Sequence, residues 1–339
     1  MAKTNAKISK SKHAFLKGKT ILITGGTGTF GQALVARLLK DNQVGKVIVF
    51  SRDEFKQHHM QQKVVDPHKK LRFFIGDVRD RDRLERAFGG VDIVVHAAAL
   101  KQVPAIEYNP TEAIKTNING SQNVIDAALD AGVSKVMLVS SDKAVQPINL
   151  YGATKLAAEK LFVAANVYQG GKYNSSFSVV RYGNVVGSRG SFVELLRTQR
   201  ETGTITLTHE KMTRFWITIE SVMDVVLESL SLMQGGEIFV PKMGNMPVVD
   251  VVKMLTPECK IKVTGIRPGE KLHEVLITEY EAPRAHDIGY AYVIKPEFLA
   301  SAKTSWIDKK PSVKSDFIFA SNNPVFQLKT EHAKKIIVL

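Results

Sequence analysis

Two short runs hold residues whose types and spacing could do chemistry: Ser140-Ser141-Asp142-Lys143 and, a few residues on, Tyr151-Gly-Ala-Thr-Lys155. The Tyr-x-x-x-Lys spacing sets its two side chains on one face of a helix, one turn apart. A lysine ammonium beside a phenol favours the phenolate and lowers the tyrosine pKa. Such a phenolate accepts the proton of a sugar or alcohol hydroxyl. Asp142 places an acid beside this pair, and Lys143 a potential second base. One pair supports redox chemistry; the other supports proton removal and elimination.

These groups need a frame, and the first half of the chain supplies one. β-type runs cover Lys19–Thr24, Lys46–Phe50, Leu71–Ile75, Val91–His96, Lys135–Ser140 and Phe177–Arg181. Helical patterns separate them, including Thr111–Ala131 and Tyr151–Val167. Regular alternation of this kind predicts an α/β fold, a Rossmann-type doubly wound parallel sheet with helices on both faces. The second half is less regular and predicts a smaller, mixed α/β C-terminal substrate domain. The expected organisation is a disordered basic tail over 1–17 and a cofactor-binding domain over 18–182, with 215–240 packing back onto it. The substrate domain takes 183–214 and 241–330, and 331–339 forms a C-terminal tail. Arg267-Pro-Gly-Glu-Lys271 reads as a loop with a helix beyond it.

Composition narrows the function. The chain has 339 residues, 44% hydrophobic and 24% charged, as an ordinary globular protein does. No apolar run approaches the ~18 residues that span a bilayer. The single cysteine, Cys259, excludes an intrachain disulfide and fits a cytoplasmic location. The nine histidines form no metal-ligand spacing, so no metal is expected. A net charge of +14 raises the question of nucleic acid, but the lysines are dispersed and no aromatic-and-basic stripe accompanies them. The charge suits polyanionic small molecules such as dinucleotides and nucleotide sugars.

The cofactor class follows from Thr24-Gly25-Gly26-Thr27-Gly28-Thr29-Phe30-Gly31, which leaves the first strand and opens a helix. Gly25, Gly28 and Gly31 allow a tight turn and close approach of a pyrophosphate to a helix N-terminus. The end of the second strand discriminates between dinucleotides. There Ser51, Arg52 and Lys56 suit an adenosine 2′-phosphate, while Asp53 suits a free ribose 2′-hydroxyl; Glu54 lies between them. The cationic set favours NADP. Asp77 and Val78 at the third strand end are placed to meet adenine, although Asp77 also fits a helix cap. Ala97 and Ala99 after the fourth strand offer small side chains, either for a passing cofactor or for packing.

The runs TGGTGTFG, HAAALKQVP, SSDKAV, YGATK and RYGNVVGSRGS resemble the extended short-chain dehydrogenase/reductases. More narrowly, SRDEFKQ, SSDKAVQPINLYGATK, MTRFW and GIRPGEKLHE resemble the inverting UDP-N-acetylglucosamine 4,6-dehydratases of pseudaminic acid and capsule pathways, over about residues 18–330. The resemblance implies an internal redox cycle in which hydride leaves sugar C4, water is lost across C5–C6, and hydride returns to C6 with inversion at C5. It implies Tyr151 as the C4 hydroxyl base, Lys155 as its electrostatic partner and ribose ligand, and Ser141 as a hydrogen-bond partner of the C4 oxygen. Lys143 would take the C5 proton and Asp142 would protonate the departing C6 oxygen. Retaining relatives carry Asp-Glu where this chain has Asp142-Lys143, and that difference points to the inverting type. A base at Lys143 requires a pKa depressed by burial or by nearby cations.

The resemblance also implies cofactor contacts at Lys101, Asn117 and Val185. Substrate contacts are implied at Lys101, Asn184, Val186, Gly187, Ser188, Arg189, Thr213, Arg214, Arg267, Ser321, Asn322 and Asn323. UDP-N-acetylglucosamine is the implied substrate, and a homo-oligomer, possibly a hexamer, the implied assembly. A 4-epimerase of the same fold and a non-enzymatic NADP-binding sensor are the competing readings.

Overall fold

The computed structural model describes residues 13–168, 174–188, 190–297 and 304–337. The first six strands are β1 (Thr20–Thr24), β2 (Lys46–Ser51), β3 (Leu71–Ile75), β4 (Ile93–His96), β5 (Lys135–Ser141) and β6 (Ser176–Tyr182). The second half adds β7 (Asn184–Val185), β8 (Thr204–Leu207), β9 (Thr213–Ile217), β10 (Ile238–Pro241), β11 (Gly244–Pro247), β12 (Lys260–Val263), β13 (Val275–Ile277), β14 (Ala285–Asp287), β15 (Ala291–Ile294) and β16 (Phe319–Ala320). The main sheet runs β14-β15-β10-β6-β5-β4-β1-β2-β3. It is parallel from β3 to β10, and β15 and β14 close one edge antiparallel. The order reverses between β1 and β4, where a doubly wound sheet opens a crevice for a ligand.

The central strands are buried on both faces, so they read as continuous apolar runs rather than alternating ones. Ile21, Ile23, Val47, Val49 and Val95 pack one face, with helix α1 (Thr29–Asp41). Leu22, Ile48, Val94, Val136 and Leu138 pack the other. A third core holds the second unit: Leu196, Ile205, Leu207, Trp216, Val251 and Val252.

Several expectations shift. Residues 13–17 belong to the fold: Leu16 is fully buried and His13 Nδ1 lies 3.0 Å from Asp41 Oδ2. Residues 1–12 of the expected tail lie outside the described residues. The helix expected over Thr111–Ala131 is divided at a π-helical turn, Ile114–Asn119, which brings Asn117 inward. The helix expected after Arg267–Lys271 is instead strand β13, paired antiparallel with β16. Its Leu276 and Ile277 fill the core with Phe319, a demand local propensity does not register. Residues 285–294, expected in the second unit, extend the main sheet as β14 and β15. The expected C-terminal tail contains a helix, Thr330–Ile336, which buries Ala333 in the third core beside Ile337.

Candidate active site

A cleft of about 590 Å³ lies over the C-terminal ends of the parallel strands, within the usual size range of ligand sites. It runs from the glycine loop past Ala97–Ala99 to Ser141, Lys143, Tyr151 and Lys155.

The glycine loop is built for close approach. Gly25 has φ +66°, and a Cβ there would meet the Ala98 backbone nitrogen at 2.8 Å. The expected small-residue turn, Ala97–Ala99, thus packs against the loop and also lines the cleft. Gly28 caps α1 without a side-chain acceptor, leaving the helix N-terminus to an anion from outside. Thr27, Thr29, Phe30 and Gly31 line the same wall. The residues present fit a dinucleotide pyrophosphate.

At the adenosine end Ser51, Arg52, Asp53, Lys56, Asp77 and Val78 line the cleft, and Glu54 does not. Asp53 is already engaged. It caps helix α2 (Glu54–Lys63), accepting from Lys56 N at 2.9 Å, and pairs with Lys56 Nζ at 2.7 Å. Asp77 accepts from Arg79 and stands 3.5 Å from Arg52. Lys101 lines the cleft, whereas Asn117 stands behind it, holding Leu100 N at 2.8 Å and Leu100 O at 2.9 Å. Asn117 therefore shapes the Ala97–Lys101 turn from beneath.

The chemistry residues sit where β5 ends and helix α3 (Leu150–Ala164) begins. Ser141 caps the turn Asp142–Ala144, accepting from Lys143 N at 3.3 Å. Asp142 is wholly buried. Its Oδ1 accepts from Ser141 Oγ at 2.8 Å and from Lys143 Nζ at 3.0 Å, while Oδ2 has no hydrogen-bond partner. Ser141 and Lys143 line the cleft, and Asp142 lies one layer below them.

Two electrostatic expectations are corrected. Burial works to lower the Lys143 pKa, but the carboxylates of Asp142 and Glu274 outweigh it, and the net shift is upward. In this site Lys143 rests as an ammonium, not as the depressed amine the sequence suggested. Lys155 is bonded to the end of β5 rather than to Tyr151. Its ammonium donates to Val139 O at 2.7 Å, and burial lowers its pKa to about 8. Burial raises the Tyr151 pKa, and the opposing cation is Lys143.

Asn184, Val185 and Ser188 line the cleft; Val186 packs into the third core, and Gly187 is exposed beyond the lining. Arg189 lies outside the described residues. Thr213, Arg214 and Ser321 are buried away from the cleft. Thr213 Oγ1 and Ser321 Oγ are 2.7 Å apart, and Arg214 donates to Thr213 O and Lys271 O. Arg267 and Asn322 are exposed outside it, and Asn323 O accepts from Asn245 Nδ2 at 2.7 Å. Gln102, Tyr182 and Phe192 line the cleft without having been singled out from sequence. The run GIRPGEKLHE held Glu274 in view, but a strand-end glutamate shows its burial beside Lys143 only in three dimensions.

Residues 21–296 match the model of a family described as polysaccharide biosynthesis protein. The chain belongs to that family. It is 46% identical over 314 residues to a UDP-N-acetylglucosamine 4,6-dehydratase (inverting) of Campylobacter jejuni, covering 90% of this chain and 93% of that one. A UDP-glucose 4-epimerase of Rickettsia akari is 42% identical, over 81% of this chain and 82% of its own. Among solved structures, Pen from Bacillus thuringiensis superposes with a TM-score of 0.87 at 36% identity, covering 95% of this chain and 97% of that one. Among the described residues, no helix is long and apolar enough to cross a membrane, and no histidine, cysteine and carboxylate group could hold a metal.

Proposed function

We propose that the protein is an NADP-dependent 4,6-dehydratase of UDP-N-acetylglucosamine that inverts C5. The observation that carries this reading is Lys143, an amine at the cleft wall on the turn beside Tyr151, bonded to an acid that has a free oxygen. A bound nicotinamide supplies hydride acceptance from C4 and hydride return to C6. Gly25, Gly28 and the N-terminus of α1 hold its pyrophosphate, and Arg52 with Lys56 meets an adenosine 2′-phosphate. Support for NADP over NAD comes from Asp53, whose carboxylate is committed to Lys56.

As the phenolate, the form that the charge of Lys143 favours against burial, Tyr151 accepts the C4 hydroxyl proton, and Ser141 positions the C4 oxygen. Oxidation at C4 acidifies C5, because a neighbouring ketone spreads the carbanion charge. Lys143 must be uncharged to take the C5 proton, and Asp142 must be protonated to assist loss of the C6 oxygen. Transfer of one proton from Lys143 Nζ to Asp142 Oδ1, across 3.0 Å, makes both forms at once. After elimination the amine holds the C5 proton and Asp142 has given its own to water. The pair is then back in its resting ammonium–carboxylate form. The substrate meets Asp142 by displacing its contact with Ser141 or Lys143, which cover it.

The reading extends to nucleotide-sugar synthesis of the pseudaminic acid or capsule type by a cytoplasmic homo-oligomer. In deuterated buffer, UDP-N-acetylglucosamine should yield a 4-keto-6-deoxy sugar nucleotide with deuterium at C5 and inverted configuration. An unchanged substrate after long incubation at high enzyme concentration refutes the reading. The 4-epimerase alternative, favoured by the Rickettsia relative, predicts a product that keeps its C6 hydroxyl; it leaves Lys143 without a task.

A further inference from the structure

Glu274 is a buried carboxylate, 2% exposed, that the proposed reaction scheme leaves unused. It lies just before β13, in the second unit, yet reaches the chemistry turn of the first. Its Oε1 is 3.7 Å from Lys143 Nζ and 3.9 Å from Arg214 Nε, and its Oε2 is 3.7 Å from Lys271 Nζ. Each separation exceeds a hydrogen bond, and Oε2 has no hydrogen-bond partner. The carboxylate is thus centred among three cations rather than committed to one. Asp142 is the other acid on Lys143, and Glu270 stands 3.9 Å from Arg214, so three carboxylates share three cations in one partly buried cluster.

The backbone that carries Glu274 is fixed. Glu274 N donates to Ser321 Oγ at 2.8 Å, and Ser321 N donates to Glu274 O at 2.8 Å. Thr213 Oγ1 holds the same serine hydroxyl. Lys271 Nζ ties the segment to Val145 O, two residues past Lys143. Of these links, the Lys271 contact reaches the Lys143 turn directly. Tyr151 and Lys155, by contrast, stand on α3, with Lys155 held by Val139 O.

We infer that Glu274 is a positioning residue for Lys143: across the junction of the two units, its carboxylate holds the Lys143 amine against Asp142 and offsets the repulsion of Arg214 and Lys271. This inference rests on the dehydratase reading. Without the carboxylate, Lys143 loses its second acid while Arg214 and Lys271 stay beside it, and the amine is pushed off Asp142. The C5–C6 step should suffer more than the C4 step, which Lys143 serves only through its charge near Tyr151.

The test is a single turnover of NADP⁺-loaded protein with UDP-N-acetylglucosamine. Reduced cofactor is followed by absorbance and water loss by mass spectrometry of the sugar nucleotide. In Glu274→Gln, cofactor reduction should slow less than water loss, so reduced cofactor should accumulate as water loss slows roughly 10- to 100-fold, the scale of a displaced reacting group. Glu274→Asp keeps the charge and should recover most of the loss. The inference is overturned if Glu274→Gln couples cofactor reduction to water loss in the wild-type proportion. It is equally overturned if both variants lose the two steps together with a lowered melting temperature, which marks a merely structural residue. A wild-type protein that forms no dehydrated product overturns the dehydratase reading itself.

Discussion

Replacing Arg52 with alanine should cost NADP⁺ affinity and leave NAD⁺ affinity alone. Arg52 stands at the end of β2, its side chain 51% exposed, with Asp77 at 3.5 Å as its ionic neighbour. A hydrogen bond to a charged group contributes about 1.5–3 kcal/mol. Half exposure places Arg52 at the lower end of that range, and the Asp77 pair surrendered on binding is worth about 0–1 kcal/mol. The net loss is about 0.5–1.5 kcal/mol, or a roughly 2- to 13-fold rise in the NADP⁺ dissociation constant. Titration calorimetry on cofactor-stripped protein measures both dinucleotides. Asp53→Asn serves as the companion variant: asparagine keeps the cap on α2 and releases Lys56, so NAD⁺ affinity should hold and NADP⁺ affinity should not fall. Equal weakening of both dinucleotides by Arg52→Ala, or loss of NAD⁺ affinity in Asp53→Asn, refutes the assignment of the 2′-phosphate to Arg52.

Further outcomes separate the two halves of the chemistry. Lys143→Met should still reduce the cofactor but lose water about 10²- to 10⁴-fold more slowly, the usual worth of a general base, as seen in the same single turnover. Lys155 has a pKa lowered to about 8 by burial, so its charge is present below that pH and lost above it. The rate of C4 oxidation under kcat/KM conditions should therefore fall as pH rises through about 8, and Lys155→Arg, which stays charged, should abolish that limb. The same shift acts on stability with the opposite sense: between about 8 and the ordinary lysine value the unfolded chain binds more protons, so Lys155 makes the fold more stable as pH rises there. Gly152→Ala places a Cβ 2.2 Å from Lys143 O, so the turn must shift; thermal unfolding should show a loss of about 1–3 kcal/mol, and an unaltered melting temperature would refute the close packing.

Much of the frame was legible because the sheet is local in its demands. Leu71–Ile75 matches its expected strand end for end, β1, β2 and β5 differ from expectation by one residue at one end, and β6 by one at each end. A parallel strand buried on both faces announces itself as an apolar run, and the glycine loop carries its own backbone requirement. The second unit hid what depends on distant partners. β13 follows Lys271-Leu-His-Glu274, a stretch with no strand signal of its own, and exists because Phe319 and Ala320 pair with it. Thr213 and Ser321 looked like ligands by residue type; they bond each other because their backbones meet from 108 residues apart. Asn117 faces inward because a π-helical turn rotates it, and periodicity cannot register that.

The charge states of the two lysines are the part that residue spacing could not reach, and they sort the roles. Lys155 is buried and Lys143, at the cleft wall, is 27% exposed, and burial presses both toward the neutral amine. Lys155 has only Glu159 to oppose that, and Glu159 is held by Arg181 through two contacts, at 3.1 and 2.6 Å. Its pKa settles at about 8, so it stays a cation near neutral pH while remaining able to titrate. Lys143 has Asp142 at 3.0 Å and Glu274 at 3.7 Å, and their charges override burial. A lysine so held cannot serve as a base by losing its proton to solvent at neutral pH. It can do so by passing that proton to the acid beside it, which is the form the acid needs. Under the proposed scheme, lysine at 143 forms with Asp142 a pair that shares a proton, and the counter-charge at Glu274 is part of that arrangement.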